Sequence, residues 1–129
     1  SKELDYTPTD RAEHMRRVAH ICKLMNDQGI LVVCSFISPD ESVRNQVAEI
    51  IGEEKFNLVY LDSNVDFCRE NDKYGLYEKA DEGTLKYLPG VDMEYQVPSK
   101  PSLKIDASNR AKNLELLMSY LNENKIFPI

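Results

Sequence analysis

A short, unbroken apolar run constrains the fold most. Directly after Gly29 comes Ile30-Leu-Val-Val-Cys-Ser-Phe-Ile37, which is β-branched and far too short to span a bilayer. Such runs are typical of strands that are buried on both faces of a parallel sheet. Parallel strands need crossover connections, and these are usually helices. The run therefore predicts an α/β fold with a buried strand at residues 30–37.

The segments on both sides of this run have helical spacing. Thr7-Pro8-Thr9-Asp10 is a helix start, because Thr7 can cap, Pro8 suits the first turn and Asp10 completes a capping box. That helix is predicted to end at Gly29. A second helix is predicted from Ser38-Pro39-Asp40-Glu41 to a stop at Gly52.

The rest of the chain continues the alternation. Strands are predicted at Phe56–Leu61 and Leu103–Ile105 and a short helix at Asn64–Glu70. A closing helix is predicted from the spacing of Leu114, Leu117, Met118 and Leu121. Between them, residues 71–101 follow no regular pattern, which is typical of a functional loop. We therefore expect parallel strands with crossover helices in a single domain, residues 1–129.

Composition excludes several classes of function. The net charge is -6 and the pI about 4.9, which argues against a duplex nucleic-acid partner. No signal peptide and no membrane span are predicted. Three cysteines without a CxxC pair, Cys22, Cys34 and Cys68, indicate reduced thiols and a cytoplasmic protein.

Ser38 lies where the predicted strand passes into a helix, a place where backbone amides can bind an anion. Three roles for its hydroxyl stay open. It can cap the helix as the first residue of the capping box Ser38-Pro39-Asp40-Glu41, or contact a ligand beyond the strand's carboxyl end. It can also act as a nucleophile, although no base lies beside it in sequence.

A basic group lies on the first predicted helix, where Arg11, Arg16 and Arg17 surround His14. It indicates either a phosphate or sulfate site or a solvated face with charge pairs between turns. His14 and His20 have no third metal ligand at a recognisable spacing, so no metal site is predicted. Neither GxxxxGKS/T nor GxGxxG occurs in these residues, and no Ser/His/Asp order stands out.

Four short segments are specific in combination, although each alone is weak. Residues 10–17 are DRAEHMRR, residues 36–39 FISP, residues 72–80 DKYGLYEKA and residues 90–98 GVDMEYQVP. In order and spacing they resemble the DRxENIRR, FISP, DPKGLYKKA and TGIDxPYExP motifs of the adenylylsulfate (APS) kinase family. The resemblance runs from about Leu4 to Pro101.

The resemblance implies a three-layer, P-loop-kinase-like fold and a function in sulfate assimilation. Such a kinase transfers the γ-phosphoryl group of ATP to the 3′-hydroxyl of APS, with Mg²⁺. Tyr6 would stack on the APS adenine, Arg11 and His14 would touch the phosphosulfate, and Ser38 would be the catalytic, phosphorylated serine of the family. The implied substrate-binding residues are Tyr6, Arg11, His14, Phe36, Ile37, Ser38, Lys79 and Leu88.

The resemblance also implies that residues 71–101 form a lid and a substrate-facing segment. The lid residues are Asp72, Gly75, Leu76, Tyr77 and Lys79. Several family residues are replaced here, by His14, Asn71, Tyr74, Glu78, Asp81 and Leu88. Four of these changes remove a cation from the lid, and phosphoryl transfer depends on cations around the developing charge.

Ser1 aligns just after the family's DGDxxR segment. We therefore expect the C-terminal two-thirds of an APS kinase, a truncated domain without the P-loop and the N-terminal strand or strands. This piece alone is expected to be inactive and to bind no cofactor. ATP and Mg²⁺ would serve the full-length parent.

The expected partner is a small nucleotide, adenylylsulfate, with no nucleic acid and no membrane. A second copy is expected to cover the exposed sheet in a homodimer. The parent kinase is expected either alone or fused to an ATP sulfurylase. Three alternatives stay open: a catalytically degenerate nucleotide-binding regulatory domain, a kinase of the same fold with a different acceptor, and a purely structural dimer.

Overall fold

The computed structural model describes residues 3–126. Five helices and two strands follow one another in these residues: α1 (Pro8–Asn26), α2 (Glu41–Ile51), β1 (Val59–Asp62), α3 (Val65–Glu70), α4 (Leu76–Asp81), β2 (Leu103–Asp106) and α5 (Arg110–Glu123). They belong to two compact units, one with residues up to 56 and 72–97, the other with residues 57–71 and those from 98 onward. Across the described part of the chain, no helix has both the length and the apolar character needed to cross a membrane.

The core of the first unit lies between α1 and α2. Ala19 and Cys22 on α1 pack with Val47 and Ile51 on α2, and Ala19 is only 1% exposed. Residues around this cluster are partly buried: Met15, Val18, Val32, Ile50 and Phe56. Most of the apolar residues whose spacing predicted the two helices lie on the faces that pack together, whereas Ile21 on α1 is 58% exposed.

The start of α1 follows the prediction, whereas the helix ends at Asn26, three residues before the predicted stop at Gly29. Thr7 is the N-cap, and its Oγ1 accepts a hydrogen bond of 3.2 Å from the Asp10 amide. Pro8 occupies the first helical position, where its missing N–H costs nothing. Gly29 follows the last turn with φ +78°, a conformation that suits glycine.

The buried strand predicted at residues 30–37 is not formed. Within residues 3–126 this segment takes part in no β-ladder, and Val33 is 84% exposed. An apolar segment becomes a buried strand only when neighbouring strands satisfy its amides and layers cover both faces. Val32 packs against the α1–α2 cluster, so the segment is covered on one side.

The three cysteines are free. Cys22 lies in the core, and its sulfur is 3.5 Å from that of Cys34. Burial and the hydrogen bond with Cys34 raise the pKa of the Cys22 thiol to about 11. Cys22 is therefore a protonated, unreactive thiol at neutral pH.

The second unit is built on a parallel pair of strands. β1 pairs with β2 in the register Val59↔Leu103 to Asp62↔Asp106. Tyr60 and Ile105 are buried, and α5 contacts β2. The parallel α/β class, both short strands and the closing helix are confirmed. The short helix α3 is confirmed too, with the Asn64 side chain accepting from the Phe67 amide at 2.8 Å.

Residues 71–101 are more regular than their sequence pattern indicates. They contain α4, which begins after Gly75 in the left-handed conformation, φ +63°. The Asp72 carboxylate accepts hydrogen bonds from the amides of Tyr74, at 3.2 Å, and Tyr77, at 2.9 Å. Farther along, Asp92 accepts from the amides of two preceding residues in a closed turn. Side-chain-to-backbone bonds rather than apolar periodicity order this segment.

Candidate functional site

A cavity of about 470 Å³ in the first unit is lined by residues from the starts of α1 and α2. Its size lies within the roughly 300–1,000 Å³ of small-molecule sites. Six of the predicted site residues line it: Tyr6, Arg11, His14, Phe36, Ile37 and Ser38. Two segments far apart in sequence thus bring these side chains to one place.

Two predicted substrate-binding residues lie elsewhere. Leu88 is 5% exposed and is not part of the cavity wall. Lys79 is on α4, where its ammonium donates to the carbonyl of Tyr74 at 3.3 Å. In the described conformation, neither side chain reaches the cavity.

The wall also contains residues that the sequence did not single out. Met93 comes from the GVDMEYQVP segment, and Pro8, Asp40 and Val43 from the two helix starts. Met93 occupies a variable position of its motif, so the motif gave no signal for it. The two helix starts were recognisable as capping patterns, but not as neighbours in space.

Arg11 holds Tyr6 at the cavity mouth. Its Nε donates to the Tyr6 carbonyl and its Nη2 to the Tyr87 carbonyl, both at 2.8 Å. The guanidinium carbon lies 5.5 Å from the centre of the Tyr6 ring, a cation–π distance. Burial lowers the pKa of Arg11, whereas Tyr6 raises it. These bonds use two of the five guanidinium N–H donors, so Nη1 and the second N–H of Nη2 remain as donors for a bidentate contact to an anion.

His14 and Phe36 form the adjoining part of the wall. Their rings meet edge to face, with centroids 5.7 Å apart and planes at 74°. This contact joins α1 to the 30–37 segment and places two aromatic rings in the cavity wall.

The capping role predicted for Ser38 is wrong. Asp40 is the N-cap of α2, and its Oδ1 accepts from the amides of Ser42, at 2.8 Å, and Val43, at 3.1 Å. The helix begins at Glu41, three residues after Ser38, so the Ser38 hydroxyl cannot serve the first free amides. Hydrogen bonds from the Ser42 hydroxyl and the Val43 amide hold the pKa of Asp40 below its ordinary value.

Ser38 itself has an unusual environment. Its φ is +44°, in the left-handed region that residues other than glycine rarely adopt. Its Oγ is buried and makes no hydrogen bond within residues 3–126. A hydroxyl without a base or an acceptor beside it is not an activated nucleophile.

The basic group on α1 divides into two parts. Arg16 and Arg17 both pair with Glu13 at 2.7 Å, which is the charge-paired face that the spacing allowed. Their hydrogen bonds lower the pKa of Glu13 to about 2. Arg11 faces the cavity instead. Of the clustered arginines, Arg11 is therefore the candidate for an anion.

The described side chains offer Mg²⁺ no cluster of ligands. Among residues 3–126, no three histidine, cysteine or carboxylate side chains converge on a point where a metal could bind. The described residues therefore do not form a magnesium site by themselves.

Three comparisons relate the chain to known proteins. The family model "Adenylylsulphate kinase" matches residues 1–106. The chain is 36% identical to an adenylyl-sulfate kinase of Marinobacter nauticus over 126 residues, covering 96% of the chain and 63% of the relative. It is 41% identical to the bifunctional enzyme CysN/CysC of Rhodopirellula baltica over 108 residues, covering 84% of the chain but 17% of the relative. The chain thus spans only part of these relatives.

A solved structure gives the same result in three dimensions. The Mycobacterium tuberculosis APS kinase CysC, solved in complex with AMPPNP and APS, superposes with a TM-score of 0.78 and 29% identity. The match covers 91% of this chain and 72% of that one. The kinase-like fold class predicted from the motifs is confirmed by this neighbour. With a family match over most of its length and this structural agreement, the chain belongs to the adenylylsulphate kinase family.

Proposed function

We propose that the chain forms the APS-binding part of an adenylylsulfate kinase. In the proposed reaction the 3′-hydroxyl oxygen of APS attacks the γ-phosphorus of ATP. The bond from that phosphorus to the β–γ bridging oxygen breaks, ADP leaves, and the hydroxyl proton is released. The observation that carries the proposal is the convergence on one cavity of about 470 Å³ of six residues to which the resemblance assigns substrate binding.

The adenine end of APS would lie on Tyr6. Tyr6 is 59% exposed, and Arg11 contacts both its backbone carbonyl and its ring. Stacking of a base on an aromatic ring contributes about 1–3 kcal/mol. A fixed ring loses less freedom on binding than a mobile one, so Arg11 supports the adenine contact as well.

The phosphosulfate would lie toward Arg11 rather than at the amides of α2. Asp40 already caps that helix through the Ser42 and Val43 amides, and its carboxylate would repel an anion. Arg11 brings a positive charge to the start of α1, where the helix dipole is also favourable. His14 and Phe36 would close the side of the pocket.

Ser38 is assigned to the pocket wall and not to a covalent step. Its Oγ is buried and has no hydrogen-bonding base within residues 3–126. Direct transfer to the 3′-hydroxyl needs no phosphorylated serine. The phosphoryl group would pass from ATP to APS in a single displacement.

The remaining parts of the proposal concern the whole protein. ATP and Mg²⁺ would be held by the full-length parent, and residues 71–101 would act as a lid that carries Lys79 toward the substrates. A fusion to ATP sulfurylase is supported by the relatives named as bifunctional enzymes. A homodimer and a cytoplasmic location are proposed on the resemblance alone.

A second candidate is a nucleotide-binding regulatory domain without turnover. It is favoured by the acidic character of α4, where Glu78 and Asp81 stand beside Lys79. A lid of this composition supplies little positive charge to a phosphoryl group in transfer. Radiometric transfer from labelled ATP to APS, measured on the full-length protein, separates the two: turnover supports the kinase, and APS binding without turnover supports the regulatory domain.

The proposed site is tested by calorimetric titration of APS into the wild type, Arg11→Ala and Arg17→Ala. Arg11→Ala removes a charged contact and the support of Tyr6, so APS binding should weaken about tenfold or more. Arg17 pairs with Glu13 and serves as the matched control, whose affinity should equal that of the wild type. Equal affinities in all three proteins, or no APS binding to the wild type, would contradict the proposal.

The same calorimeter tests the ATP side. These 129 residues contain no GxxxxGKS/T sequence to cradle phosphates. We expect no micromolar binding of Mg-ATP to this chain. Micromolar binding would reveal a phosphate site that the described residues do not display.

A further inference from the structure

Arg44 is a buried charge that does not line the cavity. It lies on α2 and is 3% exposed. Its Nη1 donates to the Ser38 carbonyl at 2.5 Å, and its Nη2 donates to the Gln96 carbonyl at 2.6 Å and to Glu41 at 2.9 Å. One side chain thus contacts the turn before α2 and a segment 52 residues farther along the chain.

Gln96 makes the reciprocal contacts. Its amide donates to the Pro39 carbonyl at 2.9 Å, and its Oε1 accepts from the Glu41 amide at 2.8 Å. The neighbouring Tyr95 ring lies 5.9 Å from the Arg44 guanidinium carbon. Together these bonds hold residues 95–96 against the start of α2.

The turn that these contacts hold is strained. Ser38 has φ +44°, and such a conformation persists only where the surroundings over-determine it. Ser38, Pro39 and Asp40 line the cavity, and so does Met93 from the other segment. The shape of this wall therefore depends on contacts made behind it.

We propose that Arg44 and Gln96 position the 38–40 turn and the 93–96 segment as one wall of the cavity, so that the affinity for APS depends on two side chains outside it. The part that concerns APS rests on the proposed function. Arginine suits this role because its planar fork reaches two carbonyls on different segments at once, which a lysine ammonium does not. Gln96 is exposed and contributes an acceptor rather than buried volume.

The first arm of the test measures the contacts without any ligand, by amide hydrogen exchange followed by NMR. In Arg44→Met the Gln96 amide should exchange about tenfold faster. Arg16→Met is the matched control, because Arg16 also pairs with a glutamate three residues earlier but on an exposed face. It should leave the Gln96 amide unchanged.

Arg44 is buried, so its substitution could disturb folding. A second pair of variants therefore changes Gln96, which is exposed. Gln96→Met keeps the length of the side chain but removes the acceptor, so the Glu41 amide should exchange about tenfold faster. Gln96→Glu keeps an acceptor at the same place and should retain protection. If the Gln96 amide in Arg44→Met and the Glu41 amide in Gln96→Met both exchange as in the wild type, the proposed contacts are overturned, irrespective of APS affinity.

The second arm measures APS affinity by calorimetry in the same proteins. Arg44→Met and Gln96→Met should bind APS about tenfold more weakly, and Gln96→Glu should restore the affinity. If the wild type and both methionine variants bind APS equally well while their exchange differs, the positioning role is overturned. If the wild type itself binds no APS, the proposed function fails, and the exchange arm still decides whether Arg44 and Gln96 hold the wall.

Discussion

The two helices that open on the cavity begin with similar sequences but not with similar structures. Thr7-Pro8-Thr9-Asp10 and Ser38-Pro39-Asp40-Glu41 both place a hydroxyl residue before proline and an acid at the fourth position. In α1 the hydroxyl residue caps the helix and proline is its first residue. In α2 the helix begins two residues later than this pattern predicts, and Asp40 caps it.

The difference lies in which residues each start contacts. The bonds that close the start of α1 are local, from Thr7 to Asp10 and from Asp5 to Asp10. At the second start, Arg44 and Gln96 contact the carbonyls of Ser38 and Pro39. The start of α1 follows its capping pattern because its hydrogen bonds are local. The start of α2 is shifted because donors from Arg44 and Gln96 occupy the carbonyls of Ser38 and Pro39.

The largest effect should come from removing the true cap of α2. Asp40→Ala deletes an acceptor for two amides and the Ser42 hydroxyl, so the free energy of unfolding should fall by about 1–2 kcal/mol. Urea unfolding measures it. Asp40→Asn, which caps as well, is the control and should lose much less. Equal losses in both variants would show that charge rather than capping matters.

The effect of Asp40→Ala should also depend on pH. The pKa of Asp40 is lowered by the Ser42 hydroxyl and the Val43 amide, so its stabilisation is present above the unfolded value of about 3.9. It is lost as the pH falls through the lower folded pKa. The stability gap between wild type and Asp40→Ala should therefore be constant near neutrality and shrink in acid. A gap that widens in acid would contradict this.

At the first start, Thr7→Ala should lower the free energy of unfolding by about 1 kcal/mol. Thr7 accepts one amide bond, against two at Asp40, so its loss should be the smaller one. Thr7→Ser keeps the hydroxyl and is the control. A loss at Thr7→Ala larger than that at Asp40→Ala would reverse the ranking.

The smallest effect should be that of Ser38→Ala, within about 0.5 kcal/mol of wild type. The Ser38 hydroxyl is buried without a hydrogen-bond partner in the described residues, so its removal leaves no bond unmade. Ser38→Gly should be neutral or stabilising, because glycine adopts φ +44° without strain. A fall of about 1 kcal/mol in the free energy of unfolding of Ser38→Ala would instead indicate that the hydroxyl caps the helix.

The same contrast explains what the sequence could predict. The helical stripes of α1 and α2 are local patterns, and the structure follows them. The strand at residues 30–37 depends on neighbours that its own sequence does not specify, and within residues 3–126 it is unpaired. Among the site residues, Arg11 and Ser38 came from recognisable motifs, whereas the link from Arg44 to Gln96 has no local signature.

We propose that APS binds in the cavity between the two helix starts. This binding is tested most directly by titrating APS into the isotopically labelled protein and following its amide signals by NMR. Saturable shifts should concentrate at residues 6–14 and 36–40, while the amides of α5 stay unchanged. Saturable shifts confined to residues 57–71 and 98–126, or no shifts at all, would contradict the claim.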